Sequence, residues 1–287
     1  MIDVKTSALY LVTGASGFLG QVLVREILKR GGKVRAMSRN EGKLIELKQQ
    51  FDANVEIITG DVANRVDVIQ AAKGVTGIFH LAAFKHIGLA EELPHECTRT
   101  NVTGSLNILT ETVDMELDFI LGISTDKAAQ VSGVYGSTKL LMERMFNQFE
   151  KINNKTNYRI VRYGNVLYST GSVLCKWKEL LQNGKEVIVT DPSATRFFWT
   201  REQAVQLIFD CLSQSKDSSP FVPDMKSMTI KNLLLAMSMK YLPKNCELKI
   251  KEIGLQPGEN LHEKIIEDGK YSNEVEKFTI EEIFEMI

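Results

Sequence analysis

Apolar runs with the composition of buried strands recur along the first 166 residues, and segments of helical spacing lie between them. Between the first two runs, for example, residues 18–30 place Leu19, Leu23 and Ile27 on one face of a helix. The runs are almost uninterrupted in apolar residues, as expected for parallel strands covered on both faces. We therefore predict an α/β fold with a doubly wound parallel sheet, whose strands are residues 8–14, 33–38, 55–62, 77–83, 118–125 and 158–166.

The pattern loosens after residue 166, where helices and short strands no longer alternate regularly. The elements predicted there are helices at 172–184, 200–214 and 228–241, strands at 186–192 and 246–254, a polar loop at 214–220 and an acidic amphipathic tail at 274–287. We expect residues 1–166 to form the domain with the main sheet. Residues 167–287 are expected to form a smaller α/β lobe, some of whose elements return to that sheet.

Composition narrows the class of protein. The 287 residues are 44% hydrophobic and 25% charged with a formal net charge of −1, which gives no reason to expect capture of nucleic acid or of an anionic membrane. The four cysteines are far apart and the four histidines lack metal-ligand spacing, so we expect reduced thiols and no bound metal. No apolar run approaches the length of a membrane span, and the first strand begins too early to leave room for a signal peptide. These features predict a cytoplasmic protein.

Three glycines, Gly14, Gly17 and Gly20, stand between the first strand and the first helix in LYLVTGASGFLG. Gly14 permits a tight turn, Gly17 lets the backbone approach a pyrophosphate, and Gly20 lets the helix pack closely on the sheet. The helix N-terminus adds amide donors and the positive end of its dipole. Glycine-rich turns also occur without a ligand, but after the first strand of a βαβ unit this one predicts dinucleotide binding.

The end of the second strand favours NADP over NAD. It carries Ser38 and Arg39, which can bind a 2′-phosphate, and no acid that would accept from a ribose diol. Alternatively, Arg39 is a solvated charge and Glu41 accepts from the diol of NAD. Asp61 ends the third strand and either accepts from the adenine amino group or caps the next helix. We expect the cofactor to contact Gly14, Ser16, Gly17, Phe18, Leu19, Gly20, Ser38, Arg39, Asp61, Val62, Leu81, Ala82, Ala83, Tyr135 and Lys139.

The stretch GISTDKAAQVSGVYGSTK (122–139) carries the candidate chemistry. Tyr135 and Lys139 are four residues apart and so lie on one face of a predicted helix. A tyrosine with a pKa near 10 is a poor base, and a nearby Lys139 ammonium favours tyrosinate while also contacting the nicotinamide ribose. Asp126 and Lys127 stand side by side at the end of the preceding strand. They form either an acid and base pair or a surface ion pair that caps the following helix.

Seven segments occur in the order seen in extended short-chain dehydrogenase/reductases, namely TGASGFLG, HLAAFKH, TNVTGSLN, STDKAAQVSGVYGSTK, VRYGNV, TRFFWT and QPGENLHE. They resemble in particular the soluble, C5-inverting UDP-N-acetylglucosamine 4,6-dehydratases of bacterial polysaccharide and flagellin glycosylation. The resemblance extends from residue 8 to about residue 266. It implies a Rossmann-type domain at 1–166 that binds NADP, a C-terminal lobe at 167–287 that binds a UDP-sugar, and a lyase reaction.

The resemblance also assigns roles. Tyr135 takes the proton of the sugar 4-hydroxyl while hydride leaves C4, with Thr125 and Ser124 as hydrogen-bond partners of that hydroxyl. Lys127 is the base that removes the C5 proton, and Asp126 is the acid that helps to expel the 6-hydroxyl as water. These roles require a lowered pKa for Lys127 and a raised pKa for Asp126. Hydride then returns to C6, and protonation of C5 from the opposite face gives the L-arabino 4-keto-6-deoxy sugar.

The residues that the resemblance assigns to the UDP-sugar are Lys85, His86, Thr125, Asn165, Arg196 and Glu259. Arg196 suits a diphosphate, and Glu259 is expected to meet the uridine ribose. His86 could equally be a loop histidine without a ligand. Asn101, in the middle of a predicted helix, either holds a water or orients site backbone, or marks a local distortion of the helix. Gln256 departs from the family pattern, because it stands where an arginine is expected.

Two other functions remain open from sequence. One is a C5-retaining dehydratase or a 4-epimerase on the same fold, although an epimerase has no need for an Asp-Lys pair. The other is a non-catalytic NADP-sensing regulator, which would be expected to lose the groups that are intact here. A homo-oligomer, a dimer or higher, is expected by analogy with the fold alone. The sequence does not indicate which sugar the pathway makes.

Overall fold

The computed structural model describes residues 2–51 and 54–287. Its main sheet contains seven strands, numbered in chain order: β1 (Leu9–Thr13), β2 (Lys33–Ser38), β3 (Val55–Thr59), β4 (Gly77–His80), β5 (Phe119–Thr125), β6 (Asn157–Tyr163) and β10 (Pro220–Phe221). The strands lie in the order β10-β6-β5-β4-β1-β2-β3, and every neighbouring pair is parallel. The order reverses between β1 and β4, so a crevice opens above the carboxyl ends of these strands.

Helices cover both faces of the main sheet. Those of the first 166 residues are α1 (Phe18–Lys29), α2 (Glu41–Phe51), α3 (Arg65–Ala72), α4 (Ile87–Glu92), α5 (Pro94–Thr98), α6 (Gly104–Glu111) and α7 (Val134–Ile152). Strand β1 shows the two layers directly. Tyr10 and Val12 join an apolar cluster with α1, whereas Leu11 between them joins a second cluster with α6 and α7. The prediction of a doubly wound parallel α/β sheet is confirmed.

The remaining elements form a smaller unit with its own apolar cluster, which includes Trp177, Leu233 and Ile283. Its strands are β7 (Asn165–Val166), β8 (Val187–Val189), β9 (Thr195–Trp199), β11 (Ser227–Thr229) and β12 (Ile250–Glu252), and its helices are α8 (Val173–Gln182), α10 (Ile230–Tyr241) and α11 (Ile280–Met286). The strands form two small sheets, in the orders β11-β9-β7 and β12-β8.

Two elements after residue 166 belong to the main sheet. Helix α9 (Arg201–Gln214) packs into the same apolar cluster as α1, and β10 pairs with β6. Strand β10 begins at the last residue of the predicted polar loop at 214–220, because that loop leads back to the sheet edge. The division of the chain at residue 166 stays a prediction.

Several predicted boundaries are wrong for identifiable reasons. The run 158–166 contains two strands, because strand pairing is interrupted at Gly164. A Cβ atom on Gly164 would lie 2.5 Å from the Phe197 carbonyl oxygen. The helix predicted at 228–241 begins only at Ile230, since the Thr229 hydroxyl caps it by accepting from the amide of Asn232. Strand β9 was not predicted at all, although its sequence was noted as part of a motif.

Two irregular turns bring side chains to the carboxyl edge of the sheet. Residues Arg99–Thr103 form a π-helical turn between α5 and α6, and Asp126–Ala128 form a 3-10 turn directly after β5. The second turn is capped by the Thr125 hydroxyl, which accepts from the amide of Lys127. Single π-helical turns often mark functional sites, because the extra residue re-aims the side chains around it.

Candidate active site

The glycine loop has the geometry that its spacing predicts. Gly14 adopts φ +69°, and a Cβ atom on it would lie 2.9 Å from the backbone nitrogen of Ala82. A Cβ atom on Gly20 would lie 2.3 Å from the Gly14 carbonyl oxygen, so only glycine lets α1 approach the loop this closely. The N-cap of α1 is Gly17, and no side chain caps that end. The first amides of α1 therefore remain available to an anion.

A cavity of about 470 Å³ extends from this loop across the carboxyl edge of the sheet. A cavity of this size suits a cofactor or a small-molecule substrate. Every residue that we expect to contact the dinucleotide lines it: Gly14, Ser16, Gly17, Phe18, Leu19, Gly20, Ser38, Arg39, Asp61, Val62, Leu81, Ala82, Ala83, Tyr135 and Lys139. The loop, the ends of three strands and the first turns of α7 thus meet at one cavity, and their contact with a dinucleotide stays a prediction.

The cavity wall near β2 is rich in groups that suit a phosphate. The hydroxyl of Ser38 lies 2.7 Å from that of Ser16, and Arg39 is exposed at the cavity edge. Lys43, on the first turns of α2, also lines the cavity, and sequence reasoning missed it. Its place at the start of the helix that follows Arg39 was a usable signal. Glu41, the alternative partner for a ribose diol, is exposed and lies outside the cavity lining.

Asp61 does not cap the helix that follows it, so this alternative is wrong. The N-cap of α3 is Asn64, whose side chain accepts from the amide of Val66. Asp61 instead accepts from the amide of Ala63 at 3.0 Å and pairs with Arg99 at 2.9 Å. The Asp61 carboxylate therefore sits in a fixed position at the cavity wall.

Tyr135 and Lys139 lie one turn apart on α7, and both line the cavity. The expectation that Lys139 lowers the tyrosine pKa is wrong for this structure. Burial raises the pKa of Tyr135 to about 12, and the cation that opposes this shift is Lys127. Burial also lowers the pKa of Lys139 to about 8, although Glu143 opposes it. The Lys139 ammonium donates to the Ile123 carbonyl oxygen at 2.7 Å, which fixes its position under the end of β5.

Asp126 and Lys127 form a buried pair, not a surface ion pair. The side chain of Asp126 is fully buried and that of Lys127 is 12% exposed. The Lys127 ammonium donates to Asp126 Oδ1 at 3.0 Å, and the Thr125 hydroxyl donates to the same oxygen at 2.8 Å. Lys127 and Thr125 line the cavity, whereas Asp126 lies behind them. Asp126 therefore reaches the cavity through these two neighbours.

The pKa values expected for this pair are reversed. Burial by itself lowers the pKa of Lys127, but the carboxylates of Asp126 and Glu263 outweigh it and raise that pKa above its ordinary value. Burial raises the pKa of Asp126, but Lys127 and hydrogen bonds from Glu263, Lys127 and Thr125 outweigh it and hold that pKa below its usual range. The resting pair is therefore an ammonium and a carboxylate, because each stabilises the charge of the other.

Glu263 is a site residue that sequence reasoning missed. It is the last residue of QPGENLHE, the segment in which Glu259 was selected instead. Its buried carboxylate lies 3.2 Å from Lys127 Nζ and 3.3 Å from Arg196 Nε. The only sequence signal was its place in the motif, since the contact with Lys127 joins residues 136 positions apart.

The residues expected at the UDP-sugar divide into two groups. Lys85, Thr125 and Asn165 line the cavity, and burial lowers the pKa of Lys85. His86, Arg196 and Glu259 lie outside the lining.

Local contacts explain the positions of the second group. His86 packs against Gly171, where a Cβ atom would lie 2.6 Å from its ring. Arg196 donates from Nη1 to the Leu261 carbonyl oxygen at 3.0 Å, in addition to its contact with Glu263. Glu259 accepts from the amide of Gln256 at 3.2 Å in a local turn.

Asn101 both orients backbone and marks a distorted helix. It lies in the π-helical turn and is 1% exposed. Its amide group accepts from the Phe84 amide at 2.7 Å and donates to the Phe84 carbonyl at 2.9 Å and to the Thr138 hydroxyl at 3.0 Å. Asn101 thus ties the segment before Lys85 to α7.

Ser124 lines the cavity, and its role as a hydrogen-bond partner of the sugar stays a prediction. Its hydroxyl donates to Glu143 on α7, and Glu143 in turn receives a two-point contact from Arg162 on β6, at 2.6 and 2.9 Å. Arg162 also donates to the Ile265 carbonyl oxygen at 2.9 Å and pairs with Glu267 at 2.9 Å. This network fastens the segment after Glu263 to the main sheet.

Comparisons with known proteins agree with the fold. The family model described as polysaccharide biosynthesis protein matches residues 10–285. The chain is 36% identical to an uncharacterised membrane protein of Methanocaldococcus jannaschii, over 96% of this chain and 84% of that protein. No helix within residues 2–51 and 54–287 is long and apolar enough to cross a bilayer.

Other similar proteins carry enzyme names. The chain is 32% identical to a UDP-N-acetylglucosamine 4,6-dehydratase (inverting) of Campylobacter jejuni, over 93% of this chain and 80% of that protein. It is 30% identical to a UDP-glucose 4-epimerase of Rickettsia rickettsii, over 89% and 76%.

Solved structures show the same architecture. Pen from Bacillus thuringiensis matches with a TM-score of 0.86 and 29% identity, over 91% of this chain and 81% of that one. A dTDP-glucose 4,6-dehydratase of Streptomyces venezuelae, solved with NAD, matches in fold with a TM-score of 0.77 and 18% identity, over 88% and 86%. The motifs, the sheet and these matches agree, and the chain belongs to the polysaccharide biosynthesis protein family within the extended short-chain dehydrogenase/reductases.

Proposed function

We propose that the protein is a UDP-N-acetylglucosamine 4,6-dehydratase that inverts C5 and forms UDP-2-acetamido-2,6-dideoxy-β-L-arabino-hex-4-ulose. One observation carries this proposal: a buried lysine–carboxyl pair, Lys127 and Asp126, meets the same cavity as Tyr135 and Lys139. Oxidation and reduction at C4 alone would need only the tyrosine and its lysine. Removal of a C5 proton and of a 6-hydroxyl needs a further base and a further acid. The enzyme name carried by the Campylobacter relative supports the same reaction.

The residues around the cavity fit a dinucleotide. Gly14 and Gly20 let the loop and α1 approach neighbouring backbone more closely than a Cβ atom would allow, and the uncapped N-terminus of α1 provides amide donors for a pyrophosphate. We propose NADP, because Ser38, Arg39 and Lys43 line the cavity together and could hold a 2′-phosphate. A bound nicotinamide would supply the hydride acceptor for C4 and the hydride donor for C6. The NAD in the Streptomyces neighbour supports a nicotinamide cofactor of either form.

Replacing Arg39 with Glu is expected to reverse the choice of cofactor. The change removes the guanidinium that would pair with the 2′-phosphate and places a carboxylate there, which repels a phosphate but can accept from a diol. The Kd for NADP should rise about 10–100-fold, as expected for the loss of 1.4–2.8 kcal/mol, whereas the Kd for NAD should not rise. Fluorescence titration measures both constants. Lys33→Glu, at the opposite end of β2, is the matched control, and an equal loss of NADP binding there would contradict the assignment.

The acid and base can be produced inside the buried pair. Lys127 Nζ and Asp126 Oδ1 are 3.0 Å apart, so one proton can move from the ammonium to the carboxylate within an existing hydrogen bond. This transfer gives a neutral amine and a carboxylic acid without any change in net charge. The amine lines the cavity and removes the C5 proton, whereas the acid acts through Thr125 toward the 6-hydroxyl. The resting pKa values oppose this transfer, so the proposed roles require that binding of substrate and cofactor bring the two pKa values together.

Tyr135 and Lys139 act at C4 in this proposal. The phenol is protonated in the free protein, because burial raises its pKa to about 12. A cationic nicotinamide ring beside it would favour the tyrosinate, as a nearby cation does in general. The Lys139 ammonium, which donates to the Ile123 carbonyl oxygen, would bind the nicotinamide ribose. Tyr135 then takes the proton of the 4-hydroxyl.

We propose that the lobe of residues 167–287 binds the UDP moiety, and that residues 1–166 bind the cofactor. Asn165 stands at the border between these two parts of the chain and lines the cavity. Lys85 and His86 lie between β4 and α4. Contact of Arg196 or Glu259 with UDP would require their present hydrogen bonds to be replaced. We also propose a dimer or higher oligomer, supported by the exposed Leu106 and Leu141 on α6 and α7.

Incubation of the purified protein with UDP-N-acetylglucosamine and NADP tests the proposal. The expected product is lighter than the substrate by one water, and NMR should show a C6 methyl group, a hydrated or free C4 ketone and the L-arabino configuration. The competing activity is that of a 4-epimerase, which the Rickettsia relative's name supports. A product of unchanged mass with the galacto configuration would favour the epimerase. Retained D-configuration at C5 would contradict inversion, and no turnover would favour a regulator.

A further inference from the structure

Four charged side chains meet beneath the carboxyl end of β5. They are Asp126 and Lys127 on the 3-10 turn, Arg196 on β9, and Glu263 on the segment after β12. The side chains of Asp126, Glu263 and Arg196 are 0%, 4% and 11% exposed. The cluster therefore has little contact with water, and its charges must balance internally.

Glu263 is held in place by its own backbone. Its amide donates to the Ser272 hydroxyl at 2.9 Å, and its carbonyl oxygen accepts from the Ser272 amide at 2.8 Å. Ser272 in turn contacts the Thr195 hydroxyl at 2.6 Å, next to Arg196. These hydrogen bonds hold the backbone of Glu263 in an extended segment. The position of the Glu263 carboxyl, which projects toward Asp126, is therefore fixed by that backbone.

One carboxylate oxygen in the cluster lacks a donor. Asp126 Oδ1 accepts from Thr125 and Lys127. Asp126 Oδ2 is buried, and no amide, hydroxyl or ammonium group of the described residues donates to it. A buried acceptor without a donor is costly. The nearest other carboxyl in the cluster is that of Glu263, which contacts the same Lys127 Nζ at 3.2 Å that Asp126 Oδ1 contacts at 3.0 Å. Two carboxylates cannot hydrogen-bond to each other, so Glu263 can satisfy Asp126 Oδ2 when one of the two carboxyls carries a proton.

The proton belongs on Glu263. Asp126 already accepts two hydrogen bonds and lies beside the Lys127 ammonium, which favour its anionic form. Burial and the Asp126 carboxylate raise the pKa of Glu263 to about 8, and Lys127 and Arg196 oppose this shift. His262, the preceding residue, turns to the Thr195 hydroxyl at 2.8 Å instead. The described groups that face Glu263 are thus one anion and two cations.

We propose that Glu263 is a positioning residue whose protonated carboxyl donates to Asp126 Oδ2 and forms with it a pair that shares a proton. This inference rests on the proposed dehydration for its role in turnover. The Glu263 O–H bond supplies a proton to Asp126 when the acid passes its own proton through Thr125 to the departing hydroxyl. The C6–O bond breaks, water leaves, and Lys127 holds the C5 proton. Glu263 is then an anion between the ammonium of Lys127 and Arg196, and return of the proton from Asp126 to Glu263 restores the resting pair. C5 is protonated from the face opposite Lys127, and the proton that Tyr135 takes from the 4-hydroxyl balances this step.

Infrared spectroscopy of protein with ¹³C-labelled glutamate tests the pair without substrate. The wild-type protein should show a protonated glutamate that loses its proton with a midpoint near pH 8. Glu263→Gln should lack this band, and Glu281→Gln, an exposed change on α11, should retain it. Asp126→Asn removes the neighbouring anion and should lower the midpoint, which keeps the test decisive if Glu263→Gln does not fold. A wild-type protein without a protonated glutamate at pH 7 would overturn the proposal.

A second measurement concerns turnover. The ratio of kcat for Glu263→Gln to kcat for wild type should rise above pH 8 by about tenfold per pH unit, because only the wild type loses a proton from residue 263. Lys139, whose pKa is lowered to about 8 by burial, titrates in both proteins and cancels in this ratio. A ratio that is constant with pH would show that Glu263 is only structural. Absence of turnover in the wild type would contradict the proposed function. The infrared measurement would still show whether the carboxyl pair of Glu263 and Asp126 shares a proton.

Discussion

Replacing Tyr135 with Phe is expected to lower kcat about 10²–10⁴-fold, the usual contribution of a positioned general base. Tyr135 carries the phenol that stands beside Thr125, Lys127 and Lys139 at the cavity, and the change removes one oxygen while retaining the ring. Because the phenol is a minor part of the cavity wall, the Kd for the cofactor should change less than threefold, or about 0.6 kcal/mol. Steady-state kinetics and cofactor titration measure the two effects separately.

Tyr271→Phe is the matched control for this variant. Tyr271 lies outside the cavity lining, where its ring packs 4.5 Å from the Lys264 ammonium. Loss of its hydroxyl should leave kcat within about twofold of wild type, as expected for a substitution away from the site. Equal losses in the two variants, or full activity in Tyr135→Phe, would contradict the assignment of Tyr135.

The largest expected change in stability follows the replacement of Arg162 with Met. Arg162 and Glu143 are 1% and 4% exposed in their side chains, and the guanidinium makes two contacts with the carboxylate. Its removal leaves Glu143 buried with the Ser124 hydroxyl as a remaining donor. Breaking a buried pair in this way typically costs about 3–5 kcal/mol. Chemical denaturation followed by circular dichroism should show a corresponding fall in the free energy of unfolding.

Two further variants separate charge from packing. Arg144→Met, on the exposed face of α7, should change the free energy of unfolding by no more than about 0.5 kcal/mol. The double replacement of Arg162 by Met and Glu143 by Leu removes both charges and should recover most of the loss. A single Arg162→Met variant as stable as wild type would contradict the role of this buried pair in stability.

Local sequence was sufficient for the parts of the site that depend on one or two neighbouring elements. Gly14 and Gly20 could be placed because a strand–turn–helix unit fixes their geometry, and the structure shows the close approaches that this geometry demands. Tyr135 and Lys139 could be paired because a helix places residues four apart on one face. The prediction that these residues lie at the carboxyl edge of the sheet then followed from the parallel arrangement of its strands.

The features of the site that could not be predicted depend on contacts between residues that are far apart in the sequence. Glu263 meets Lys127 across 136 positions, and no periodicity links them. The pKa shifts of Lys127 and Asp126 depend on that third carboxyl and on burial, so reasoning from the pair alone gave both directions wrongly. The contact of Ser124 with Glu143 could not be predicted, because it depends on how α7 packs on β5. Strand β9 was missed because its pairing partners lie far away in sequence.

Substrate labelled with deuterium at C4 provides the most direct measurement of the central claim, that Lys127 and Asp126 add an elimination to the chemistry of Tyr135. Incubation of the protein with UDP-N-acetylglucosamine carrying this label, followed by NMR, reports where the deuterium goes. The predicted result is deuterium in the C6 methyl group of a 4-keto-6-deoxy sugar with the L-arabino configuration. Deuterium that remains at C4 of a UDP-sugar with its 6-hydroxyl intact would contradict the account.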